Sequence, residues 1–327
     1  MAVNFDAQAW RFCVAPMLDW TTSECRLLHR QFSAYARLYT EMVTTGAVLY
    51  GDAARHLSYR ADEHPVALQL GGGNVSELAR ACELANAYGY DEINLNVGCP
   101  SDRVQNNAIG ACLMADAPLV ARCLQAMQET SDAVVTVKHR LAIDEQDESE
   151  VLRFVETLAN GSRCRVFIVH ARKAWLAGLN PKQNREVPPL NYDLVYELKR
   201  RFPELVFVIN GGITAMAAVR EHLQAVDGVM VGRAAYQNPE LLLEVDALFG
   251  APLVSLEQVL ERIEKVMARE LARGVPFHWF TRHLLGLFQG RVGARRFRRL
   301  LSERSREADA GLALLQEAVS LVRWKGV

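Results

Sequence analysis

Eight short apolar, β-branched runs recur through the first 235 residues, and this repetition restricts the fold more than any other feature of the chain. They are FCVAPM (12–17), RLYTEM (37–42), PVALQLGG (65–72), EINLNVGC (92–99), AVVTVKHR (133–140), RVFIVHAR (165–172), VFVINGG (206–212) and GVMVGR (228–233). Between most of them lie segments of helical period, such as SELARACELANAYGY, PLVARCLQAMQETS, SEVLRFVETLANG and YDLVYELKRRFP. That is the spacing of repeated βα units. Eight units in this length predict an α/β fold, a (β/α)8 TIM barrel, whose usual size is about 250 residues. A doubly wound sheet competes, but no GxGxxG follows the first run, which disfavours a Rossmann dehydrogenase.

After Leu253 the pattern becomes purely helical. SLEQVLERIEKVMARELARG reads as one amphipathic helix stopped by Gly274 and Pro276, and WFTRHLLGLFQG and DAGLALLQEAVSLVRW as two more. A catalytic barrel over 1–250 and a smaller all-helical domain over 251–327 are therefore expected. No apolar run approaches the roughly 20 residues that cross a bilayer, and MAVNFDAQAWRFCVAPM lacks the layout of a signal peptide, so a cytoplasmic address is expected. Seven cysteines form no CxxC pair, so they are read as reduced thiols, with no metal site and no disulfide framework.

Net charge is -1, yet the two parts differ. Residues 255–327 carry 14 Lys and Arg against 8 Asp and Glu, and the rest 23 against 30. Between Arg282 and Arg306 stand eight arginines with one acid, Glu303. Such asymmetry suggests an anionic partner for the tail, with nucleic acid first in line.

A barrel builds its active site from the C-terminal ends of its strands. Here those ends are Pro16-Met17, Glu41, Gln69, Asn96 with Cys99, Lys138 with Arg140, His170 with Arg172, Asn210-Gly211-Gly212 and Gly232-Arg233. A core would prefer apolar residues there, because an unpaired buried polar group costs about 1–3 kcal/mol or more. The glycines of the seventh and eighth ends, each preceding a helix, suit a phosphate, and Arg233 would add a charge-assisted bond. Lys138 and His170 stand within reach of an electron-accepting ring over the barrel. Singly, each feature has a plainer reading: turn glycines, a surface lysine, a core histidine, and in NLNVGCPS a cysteine packed as a small hydrophobe. Together, at successive strand ends, they describe a ligand pocket.

With these residues in hand the sequence resembles the dihydrouridine synthases, flavin-dependent tRNA-modifying enzymes, and is most similar to their A subfamily. The motifs are VAPMLDWT (14–21), LYTEMVTTGA (38–47), HPVALQLGG (64–72), DEINLNVGCPSDRVQNNAIGACLM (91–114), FIVHARKAWLAGLNPKQNRE (167–186), INGGI (209–213), DGVMVGRAAYQNP (227–239) and the tail TRHLLGLFQGRVGARRFRRLLSE. The resemblance implies FMN on the barrel mouth, NADPH as reductant, and reduction of the C5–C6 bond of uridine at D-loop positions 20 and 20a of tRNA. It implies FMN contacts at Pro16, Met17, Leu18, Gln69, Lys138, His170, Asn210, Gly211, Gly212, Gly232 and Arg233, and a proton donor at Cys99. Lys182 and Arg185 match positions that touch tRNA, and Arg282, Arg295, Arg298 and Arg299 are expected to bind phosphates or stack on bases. NADPH rests on the resemblance alone, and a monomer is the expected state.

The residues support this chemistry. Hydride delivered to C6 leaves negative charge at C5, and a thiol, ordinarily of pKa about 8.5, is mostly protonated near pH 7 and can quench it. Gly98 removes bulk and Pro100 biases Cys99 towards an extended backbone, while Asn96 is expected to hydrogen-bond the uracil edge. Two departures from the family pattern stand out: Ala142 in VKHRLA, where a glycine is usual, and Asn107 in QNNAIGA. The runner-up function is an FMN barrel acting on a free pyrimidine or other small enone; a third is an RNA-binding module on an inactive barrel.

Overall fold

Glu92, Asn94 and Asn96 point into the barrel from one strand while Ile93, Leu95 and Val97 join the apolar layer outside it, the two faces of one alternating run. The computed structural model describes residues 6–101 and 109–323. Its eight strands are β1 (Phe12–Val14), β2 (Arg37–Thr44), β3 (Val66–Gly71), β4 (Glu92–Val97), β5 (Val134–Arg140), β6 (Val166–His170), β7 (Val206–Asn210) and β8 (Gly228–Val231). Each pairs in parallel with the next, and β1 pairs with β8 to close the barrel. All eight expected strands are present.

Helices cover the outside, and side-chain caps fix where several begin. Asn74 accepts from Glu77 N, Asp116 from Leu119 N and Asn191 from Leu194 N, so the helices over 75–86, 117–130 and 192–201 start at set points after their loops. Inside, Trp10, Cys13, Ala15, Tyr39, Ala67, Ile168, Val208 and Met230 form the apolar filling.

The N-terminal end of the barrel is plugged by a buried anion. Glu92 accepts from Trp10 Nε1 (2.7 Å), the Tyr39 hydroxyl (2.7 Å) and Thr136 Oγ1 (2.5 Å), and Arg37 lies 3.3 Å from it. The Arg37 guanidinium also covers the Trp10 ring at 4.8 Å.

Beyond residue 250 the described residues form four α-helices, over 256–272, 277–284, 294–304 and 312–320. The sequence reading named three; the helix over 294–304 is the addition, and the second ends at Leu284, short of Gly290. Ser255 and Gln258 form a capping box at the start of the first. One continuous apolar cluster joins Leu27 and Phe32 of the first barrel helix to Val259, Ile263, Phe280 and Leu284 of the tail.

Candidate active site at the barrel mouth

Strand register brings the expected residues side by side: Gln69 with Asn94, Asn96 with Lys138, Arg140 with His170, His170 with Asn210. A line of hydrogen bonds runs down from this end. Cys99 N and Gly98 N donate to Asn96 Oδ1 (2.9 and 3.1 Å), Asn96 Nδ2 to Gln69 Oε1 (2.8 Å), Gln69 Nε2 to Asn94 Oδ1 (2.8 Å) and Asn94 Nδ2 to Thr136 Oγ1 (2.7 Å). Thr136 then donates to Glu92. Every bond points the same way, with peptide N–H groups fixing one end and a carboxylate the other. Asn96, expected at the uracil edge, is mostly committed to the protein; one amide hydrogen is left for a ligand.

The turn carrying Cys99 is gripped from a second side. Arg140 Nε donates to Gly98 O (2.9 Å), and its NH1 to Lys173 O (3.1 Å) and Asn184 O (3.0 Å). Arg140 is thus a clamp between the turn after β4 and the long loop after β6, a role the sequence reading did not assign. Buried Asn184 folds that loop, exchanging bonds with Trp175 and donating to Leu179 O. Ala142 does not adopt a left-handed backbone; the positive φ in this loop falls on Asp144 (44°). Asn107 lies outside the described residues.

Lys138 makes no hydrogen bond or ion pair with the described residues, and burial, followed by the nearby Arg140, lowers its pKa to about 8. His170 is held neutral, its pKa pushed well below 6.5 by burial and then by Arg140 and Lys138. Arg172 donates to Pro188 O, yet its buried Nε has no partner. Gly211 and Gly212 have φ of 118° and 71°, and a Cβ on Gly211 would stand 2.6 Å from His170 Cδ2, so only glycine lets this turn pass the ring. Tyr192 donates to Gly211 O (2.7 Å) and Asn210 Nδ2 to Met230 O (2.7 Å), and among the described residues no acceptor meets the peptide N–H of Gly211, Gly212 or Gly232. Arg233 is ion-paired with Glu186 at 2.7 Å, both exposed. Pro16 and Met17 are half-buried at the rim, and Leu18 is 71% exposed.

A family profile described as "Dihydrouridine synthase (Dus)" matches residues 13–322. The chain belongs to this family. It is therefore an enzyme of a flavin-dependent oxidoreductase family. A protein of Yersinia pestis named "tRNA-dihydrouridine(20/20a) synthase" is 53% identical over 316 residues, covering 95% of this chain and 91% of that one. The proteins of that name from Vibrio cholerae and Escherichia coli K12 are 51% and 53% identical, covering 96% and 95% of this chain and 97% and 91% of theirs. Among solved structures, an old yellow enzyme homologue from Zymomonas mobilis matches with TM-score 0.52 at 14% identity, covering 76% of this chain and 92% of that one. At that identity the match speaks for the barrel fold alone.

The remaining sequence-predicted members of this dihydrouridine synthase lie around the mouth and on the tail. Lys182 and Arg185 are exposed on the long loop, and the pKa of Arg185 is lowered by burial and then by Arg233, against the opposing influence of Cys99. Arg282 donates to Asp19 O (2.7 Å), which ties the tail to the β1 loop. Arg295 is exposed, Arg298 is half-buried without a hydrogen bond or ion pair to the described residues, and Arg299 pairs with Glu303. Sequence reasoning missed Trp20 and Tyr236, whose rings stack at 4.3 Å and 14° beside Arg298. Among the described residues no group of three His, Cys, Asp or Glu side chains could hold a metal, and no helix is long and apolar enough to cross a membrane.

Proposed function

We propose that this protein reduces the C5–C6 double bond of uridine at positions 20 and 20a of the tRNA D-loop, using FMN and NADPH, with Cys99 as proton donor. The observation that carries the reading is the set of donors with no partner among the described residues, Lys138 Nζ, Arg172 Nε and the glycine peptides just after β7 and β8, at the same mouth as the braced Cys99 turn. These groups fit a ligand rich in acceptors and carrying a phosphate. When bound, FMN supplies the hydride for uracil C6. The Cys99 thiol gives its proton to C5, and Asn96 and Arg140 fix its backbone from two sides so that the sulfur is aimed before substrate arrives. Gln69 and Asn96 each keep one amide hydrogen for the ligands above them.

A uridine inside a folded tRNA reaches this mouth only by leaving its stack. The barrel over 1–250 is the FMN domain in this reading, and the helices over 251–327 grip the polynucleotide through Arg295, Arg298 and Arg299, with Lys182 and Arg185 beside the mouth. Mapping dihydrouridine in tRNA from cells lacking the protein tests the whole reading, which requires loss at positions 20 and 20a. Cys99→Ala should slow product formation by about 10²–10⁴-fold while NADPH still bleaches the flavin absorbance. Undiminished turnover would remove the acid role.

A further inference from the structure

A groove of about 680 Å³ opens beside the mouth, lined by Trp20, Tyr236, Gln237, Gln289 and Arg298, with Gly286 in its wall. Its volume falls in the roughly 300–1,000 Å³ range of small-ligand sites. Trp20 lies three residues beyond Met17 on the β1 loop and Tyr236 three beyond Arg233 after β8, so the groove adjoins the pocket proposed for FMN. We propose that it is a nucleobase subsite, taking the base next to the target uridine on the same RNA strand. This rests on the reaction proposed above and adds to it a second place where the RNA is held.

The stacked Trp20–Tyr236 pair is a rigid platform. The Tyr236 hydroxyl lies 3.1 Å from His283 Nδ1, and His283 Nε2 lies 3.1 Å from the Thr22 hydroxyl, so the lower ring is fixed from behind. Arg282 and Glu41 bind Asp19 on both sides of its peptide, at 2.7 and 2.6 Å, which holds the loop bearing Trp20. Gly286 brings two backbones together: a Cβ there would stand 2.6 Å from Tyr236 O and Gln237 O. Against this apolar platform stand polar groups with capacity to spare. Among the described residues the Arg298 guanidinium and the Gln237 side-chain amide have no partner, and Gln289 spends one N–H on Gln237 O (2.9 Å).

A flat indole, a cation and amides that donate and accept suit a base and its phosphate. The surrounding charge agrees, since the helix over 294–304 carries five arginines against one glutamate. Extruding one uridine removes a stacking partner from its neighbour. A neighbour laid on Trp20 recovers that contact, and it would hold the strand on either side of the flipped nucleotide.

The test is equilibrium binding of full-length protein to tRNA transcripts carrying an intact or an abasic nucleotide next to position 20. Removing the base should weaken wild-type binding about tenfold on one side of the target and Trp20→Leu binding about twofold or less, with Trp20→Phe behaving as wild type. Arg298→Gln should raise Kd several-fold and lower the slope of log K against log salt by about 1. An abasic penalty equal in wild type and Trp20→Leu overturns the proposal. So does a raised KM for NADPH in tRNA-free flavin bleaching by Trp20→Leu, which would give the groove to the dinucleotide. If Trp20→Leu fails to fold, Trp20→Phe and Arg298→Gln decide through the same abasic comparison, no change in coupling in Arg298→Gln being the negative result. Absence of dihydrouridine with wild-type protein would sink the proposed reaction instead, by a separate assay.

Discussion

At the N-terminal end of the barrel, Glu92 is surrounded by Trp10, Tyr39, Thr136 and Arg37, so both its oxygens and its charge are answered by protein. At the C-terminal end, among the described residues, the Lys138 ammonium has no anion, the His170 ring no hydrogen bond, and Arg172 a buried Nε without an acceptor. Both ends are polar and largely buried in one barrel. At the first end the one nitrogen without a hydrogen bond, Arg37 NH1, still faces the Glu92 carboxylate at 3.3 Å, so that end reads as structure; the second is short of acceptors and reads as a place for a ligand.

That contrast breaks first at Glu92. Glu92→Ala leaves the Arg37 charge and three donors without a partner and should cost about 3–5 kcal/mol in denaturant unfolding; a cost under about 1 kcal/mol would remove the distinction between the ends. Next, Arg140→Met strips three carbonyls of their donor and should cost about 2–3 kcal/mol, with a fall in kcat as the Cys99 turn loosens. A stability loss with kcat untouched would show that the clamp does not reach the thiol.

The opposite sign is expected at the mouth. Lys138→Met should stabilise flavin-free protein by about 1–3 kcal/mol near neutral pH, because a cation without a partner is removed from a poorly solvated place, while activity is lost. The folded-state pKa of about 8 lies below the ordinary lysine value of 10.5. Between those values the unfolded chain holds a proton that the folded one has released, so wild-type stability rises with pH through that window. The advantage of the variant should therefore shrink from about pH 8 upwards; a gap that widens there contradicts the assignment. The smallest effect is expected on the tail: Arg299→Gln breaks an exposed pair with Glu303 and should change stability by about 0.5 kcal/mol or less, while flattening the salt dependence of tRNA binding.

The eight runs read from the sequence became eight strands because period-two alternation is a property of a few adjacent residues. The run EINLNVGC shows how far that goes: its inward polar positions are legible, but not that Asn96 turns back to Gly98 and Cys99, since a side chain's partner is set in three dimensions. Arg140 is the same case, for its partners come from a turn and a loop that the chain reaches some 40 residues away on either side. The helix over 294–304 escaped notice because five arginines hide a narrow apolar seam of Ala294, Phe297 and Leu301. Trp20 and Tyr236 carried no signal at all, being more than 200 residues apart and meaningful only once β1 and β8 close the barrel.

The single-file row from Cys99 to Glu92 works like an anchor chain. Its links are amides and one hydroxyl, each polarised by the next, and such series tighten as they lengthen. The far mooring is a carboxylate that no substrate meets. Tension on the reactive turn is thus drawn through the whole depth of the barrel, and an opening made for chemistry borrows its stiffness from the closed end.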